Sequence, residues 1–83
     1  MAVCFLVGFE NDTLLTAFIT VIHQDGRYTV LVPTGPNPTP GFIFHLQPQL
    51  VHPVRISVEE VLKSVISCGA GSKNLLKAYH DTL

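Results

Sequence analysis

LLTAFITVIHQDGRYTVLVP, residues 14–33, is the stretch that decides the fold. Two runs rich in β-branched side chains, 14–24 and 27–33, flank Asp25-Gly26. That dipeptide between two such runs signals a hairpin, because a two-residue turn needs positive φ at its centre. A turn of that length fixes the register: Gln24 faces Arg27, His23 faces Tyr28, Val21 faces Val30 and Ile19 faces Val32. The last three pairs share one face with Leu15 and Ala17, and that face is the core side. The other face carries Thr16, Thr20, Thr29 and Gln24 among Phe18, Ile22 and Leu31.

On the N-terminal side, residues 1–9 (MAVCFLVGF) read as a strand apolar on both faces. Such a strand is central, or covered on both sides. Here it starts at the first residue, which suggests a chain cut from something longer or a strand that meets another subunit. Glu10-Asn11-Asp12 makes a polar turn. Asn11-Asp12-Thr13 fits the glycosylation pattern, which carries no weight without a secretory signal.

On the C-terminal side, residues 34–41 (TGPNPTPG) hold three prolines and two glycines, which excludes helix and strand alike. Residues 42–46 and 50–56 are two further short strands, broken by Gln47-Pro48-Gln49. Ser57-Val58-Glu59-Glu60 is a capping box. Val58, Val61, Leu62, Val65 and Ile66 form an apolar helical stripe, and Glu59 pairs with Lys63 at i,i+4. Gly69 is the expected left-handed stop. Gly71-Ser72 opens a second, terminal helix with Leu75, Leu76, Tyr79 and Leu83 on one face. Strands first and helices last define an α+β fold. The expectation is an antiparallel sheet of about four to five strands, with one C-terminal helix or two on one face, in a single domain spanning residues 1–83.

Composition limits the function. The chain is 47% hydrophobic and 13% charged, with a net charge of -1. It is too apolar for disorder and lacks the basic surface that nucleic acid requires. Residues 28–54 carry no Asp, Glu, Lys or Arg, but all six prolines lie there. Prolines remove backbone donors that hydrocarbon cannot replace, so the stretch is not a spanning helix. No signal peptide is recognisable at the N-terminus. The chain as it stands is expected to be soluble, and membrane-associated if it belongs to a longer protein. Cys4 and Cys68 read as two buried, reduced thiols.

Two motifs resemble a known family. Val32-Pro33-Thr34-Gly35-Pro36-Asn37-Pro38-Thr39-Pro40-Gly41-Phe42 is followed by Ser57-Val58-Glu59-Glu60-Val61-Leu62-Lys63-Ser64-Val65-Ile66-Ser67-Cys68-Gly69. Together they resemble the family numbered 502 among domains of unknown function, bacterial and plant integral membrane proteins whose plant members are called like-COV. The resemblance covers roughly residues 14–69 and implies a soluble domain that follows transmembrane helices. Gly35, Pro40 and Cys68 stand where the family more usually has Thr, Ser and Gly. His45, Gln47, Gln49 and His52 stand where it tends to carry acids.

The residues that carry chemistry are sparse. His23, His45, His52 and His80 show no metal-type spacing, and a lone histidine on each of several elements is ordinarily a satisfied surface residue. Ser57 is accounted for as a cap, and no Gly-x-Ser-x-Gly is present. Gly69-Ala70-Gly71-Ser72-Lys73 follows a helix rather than a strand, unlike a phosphate loop. No catalytic residue, metal or cofactor is expected. The proline loop is the one feature the fold does not need. It reads equally as a rigid connector and as a preformed contact surface of Thr34, Pro36, Asn37, Pro38, Thr39 and Gly41. The sequence therefore suggests a non-enzymatic interaction or assembly domain of a membrane-associated family, with small-molecule binding or sensing as the alternative. The expected partner is a protein, most simply a second copy in a dimer, through strand 1 and the face bearing Phe18, Ile22 and Leu31.

Overall fold

β1 (Ala2–Leu6), β2 (Leu15–Ile22), β3 (Tyr28–Pro33), β4 (Gly41–Leu46) and β5 (Val51–Pro53) form one antiparallel sheet in the order β4-β3-β2-β1-β5. Helices α1 (Val58–Ile66) and α2 (Lys73–Asp81) follow. This is the α+β architecture expected from strands followed by helices. The computed structural model describes residues 2–7, 13–36 and 41–83. The polar turn at 10–12 lies outside the described residues.

The hairpin forms, with a different register. His23 N–H donates to Arg27 O at 2.9 Å, so the turn holds Gln24, Asp25 and Gly26 rather than two residues. Gly26 takes φ +91°, and Asp25 Oδ1 accepts from the Arg27 amide. A bulge between Ile19 and Val21 then shifts the pairing again: Ile19 lies on Val30, Val21 on Thr29 and Ile22 on Tyr28. The expected Val21–Val30 and Ile19–Val32 pairs are thereby replaced. A bulge inserts one extra residue and exchanges the faces beyond it. Val21 consequently leaves the side of Ile19, and Ile22 leaves the side of Phe18; both end exposed.

The sheet is rolled, and its chain path requires this. Leu46 and Val51 lie on opposite edge strands, yet only five peptide steps separate them. Five steps reach at most about 18 Å, and a 3-10 turn at Pro48–Leu50 shortens them. Four strand spacings alone span about 19 Å in a flat sheet. Rolling gives the sheet an inner face, where Cys4, Leu6, Ala17, Ile19, Val30 and Val51 are buried together with Leu46 packed against them. The outer face buries Val3, Phe5 and Phe18 against Val54 and against Val61 and Leu75 of the helices.

β1 feeds both cores, with β2 on one side and β5 on the other. The expectation that strand 1 meets another subunit is corrected: its two apolar faces are satisfied within the chain. Phe18, also expected at an interface, is only 2% exposed beneath the helices.

α1 starts at Ser57, whose Oγ accepts from the Glu60 amide at 3.2 Å. The Glu60 carboxylate lies 3.8 Å from Lys63 Nζ, so the ion pair is i,i+3 rather than the expected Glu59–Lys63. Val61 is the buried centre of the stripe, while Ile66, expected on it, is exposed. Gly69 ends the helix at φ +93°, its amide donating to Ser64 O at 2.7 Å. α2 begins at Ser72, but the Ser72 hydroxyl donates to Gly69 O instead of capping its own helix. Leu75 is buried and Tyr79 half-buried, whereas Leu76 and Leu83 face solvent.

Candidate interaction surface

Three large apolar side chains in a row stand exposed on β4: Phe42 at 62%, Ile43 at 68% and Phe44 at 37%. β-strand geometry explains why both faces are involved. Phe42 and Phe44 oppose Val32 and Val30 on the inner side, and Ile43 opposes Leu31 on the outer side. The two phenylalanine rings sit next to each other, centroids 6.4 Å apart. β4 is a sheet edge, with β3 as its one strand neighbour among the described residues. Natural edges are usually guarded by lysine, by proline or by shortness. This edge runs for six residues and carries no charge. The other edge, β5, is three residues long and ends in Pro53.

The proline loop delivers the chain into this edge. Of the six residues singled out there, Thr34 and Pro36 are exposed, Gly41 opens β4, and Asn37, Pro38 and Thr39 lie outside the described residues. Gly41 is required by crowding, since a Cβ there would run into the Val32 carbonyl oxygen. Gly35 seats the start of the loop on the end of α1. Between them, a solvent-open cleft of about 380 Å³ is lined by Thr16, Pro33, Gly35, Ser64, Val65 and Cys68 among others. Cys68, expected to be buried, is exposed at φ +55°, because the helix end turns its side chain outward. Cys4 is buried as expected, and burial pushes its thiol up to about 12.

At the far end of β4 lies a polar cluster that the sequence reading did not assemble. Thr29 Oγ1 stands 2.6 Å from His23 Nε2 and 2.9 Å from His45 Nδ1. A hydroxyl has one proton, so at least one of the two ring nitrogens carries its own proton toward it. Arg27 and Asp25 pair with each other beside this cluster at 3.5 Å, which leaves the carboxylate engaged. The signal was available in principle, because strand pairing of β3 with β4 places Thr29 opposite His45. The other two histidines stand apart from it: His52 bonds Thr82 at 2.9 Å, and both His52 and His80 lie against Tyr79. No three His, Cys, Asp or Glu side chains converge as a metal site among the described residues. No helix among them is long and apolar enough to cross a membrane.

Comparison with known proteins adds no relative: no family model, curated protein or solved structure matches the chain.

Proposed function

We propose that this chain is a non-enzymatic interaction and assembly domain whose contact element is the β4 edge. One observation carries the reading: Phe42, Ile43 and Phe44 are exposed on an edge strand that has neither charge nor proline to keep other strands away. An open edge offers main-chain donors and acceptors for strand addition, and its side chains supply apolar contact on both faces. Exposed apolar surface of this continuity ordinarily marks an interface. The resemblance to the family numbered 502 supports a setting beside membrane helices of a parent or partner protein.

The test is Ile43→Lys, a change at an exposed side chain. It should keep the far-ultraviolet circular dichroism of the native chain. It should also abolish the association of the wild type, whether with itself or with a synthetic strand peptide of alternating valine and threonine. Phe42→Glu serves as the second variant should the first fail to fold. Undiminished association in a folded variant, or no association by the wild type with either probe, would overturn the reading.

A second reading, small-molecule binding or sensing, rests on the cleft between the proline loop and α1. Thr16, Ser64 and Cys68 are the polar side chains of its wall, and the rest of the lining is apolar or glycine, where binding sites need a few convergent polar groups. A change in Cys68 labelling rate on addition of a ligand library would favour it over the edge.

A further inference from the structure

We infer that the partner of the β4 edge is a second copy of this chain, docked antiparallel about a two-fold axis through Ile43. The inference rests on the reading of β4 as the contact element and adds its occupant and register.

Symmetry restricts the choices sharply. In a strand paired with itself about an axis normal to the sheet, opposed residues must lie on the same face. Only registers centred on a residue satisfy this. Centring on Ile43 sets Ile43 against the partner's Ile43, and Phe42 against the partner's Phe44. All four phenylalanines then share the inner face, and the two isoleucines meet on the outer face. Gly41, held small by the Val32 carbonyl, comes opposite the partner's His45 and leaves room for the imidazole. Centring on Phe44 instead sets Ile43 against the partner's His45. That would bury apolar surface against a ring already bonded to Thr29. The Ile43 register is the self-complementary one.

Charge points to the same occupant. No Asp, Glu, Lys or Arg occurs from residue 28 to residue 54, and the whole chain carries -1. Two copies meet here without like-charge repulsion and without burying an unpaired charge. A strongly acidic or basic partner finds no complementary group on β4. Pairing joins two five-stranded sheets into one continuous sheet and removes the open edge from both.

Disulfide trapping reads the register directly. The background is Cys68→Ser, because Cys68 is exposed while Cys4 is buried. Directly opposed residues of an antiparallel pair have Cα atoms about 4.5–5.5 Å apart, within disulfide range. Ile43→Cys should therefore give a covalent dimer on mild oxidation. Phe42→Cys places its own thiols two positions out of register, about 8 Å apart, and should cross-link at least about tenfold more slowly. Sedimentation equilibrium should show a wild-type dimer at tens of micromolar and a folded Ile43→Lys monomer. A wild-type monomer would overturn the inference, as would equal trapping at both positions or a dimer that survives Ile43→Lys. A monomer that still binds the valine–threonine peptide at β4 would remove the second copy and leave the interaction reading standing.

Discussion

Gly35 lies flush against Val65: a Cβ at Gly35 would stand 2.9 Å from the carbonyl oxygen of Val65, in the last turn of α1. The contact ties the entrance of the proline loop to the helix end, and so relates the two motifs that the sequence singles out separately.

Gly35→Ala should thus destabilise the protein by about 1–3 kcal/mol, since backbone meets the new methyl and one of the two segments must move. Gly69→Ala makes the contrasting case. Nothing lies within 4 Å of a Cβ there, but φ is +93°, so the cost should be about 1 kcal/mol from backbone strain alone. Urea midpoints separate them. A Gly35→Ala protein as stable as the parent would show that the loop is not seated on α1.

Helix α1 offers a graded series. Ser57→Ala removes the hydroxyl that accepts the Glu60 amide and should cost about 1 kcal/mol. Val61→Ala opens a hole at the fully buried centre of the stripe and should cost about 2 kcal/mol. Ile66→Ala, on the exposed side, should change little. Chemical denaturation of the three variants would expose a helix docked by another face if Ile66→Ala proved the worst.

Most of this layout was legible because it is local. The strand runs, the Ser57 cap and the Gly69 stop each rest on a few adjacent residues. The errors have longer-range causes. Asp25-Gly26 fits a two-residue turn and also the end of a three-residue one, where Gly26 again takes positive φ. The bulge beyond Ile19 has no sequence mark, yet it exchanges the faces of Val21 and Ile22, both of which end exposed. Strand order is longer-range still. Nothing in MAVCFLVGF says that β5 will cover its far side, and nothing in Gly41–Leu46 says that this strand will be left at the edge. The sequence therefore points to the proline loop, which adjoins β4 in the chain, and to strand 1, which lies three strands away from β4 in the sheet.

The two cysteines should behave oppositely. Cys68 should react with a thiol reagent in the native protein, and Cys4 only in denaturant, so labelling should give one thiol and then two. The raised Cys4 value also makes a pH prediction. Below the ordinary thiol value of 9.0, folded and unfolded chains both hold the proton, and its contribution is complete. From 9.0 toward about 12, the unfolded chain loses its proton while the buried thiol keeps it. Stability should therefore fall as pH rises, by up to about 1.4 kcal/mol per pH unit. Cys4→Ala lacks this group, so its urea midpoint and that of the wild type should converge through that window. Parallel curves would mean that Cys4 is open to solvent.

Lysine substitutions distinguish core from edge. Phe5 lies on β1, an interior strand of the sheet between β2 and β5, 2% exposed, with its ring 5.1 Å from Tyr79 of α2 in an edge-on contact. Phe18 is equally buried and stands opposite Val3 and Leu31. An ammonium at either site has no partner and must leave water, a cost of several kcal/mol. Small domains have only about 5–15 kcal/mol of total stability, and this chain belongs at the low end by size. Phe5→Lys and Phe18→Lys should accordingly unfold the protein rather than leave it folded with an altered surface. Ile22→Lys should be tolerated, because the bulge has already turned Ile22 to solvent. The deciding measurement is the dispersion of the amide proton spectrum, taken together with sedimentation. A well-dispersed Phe5→Lys monomer would mean that β1 is a surface strand, and with it the two-sided core built on Val3, Cys4, Phe5 and Leu6 would fall.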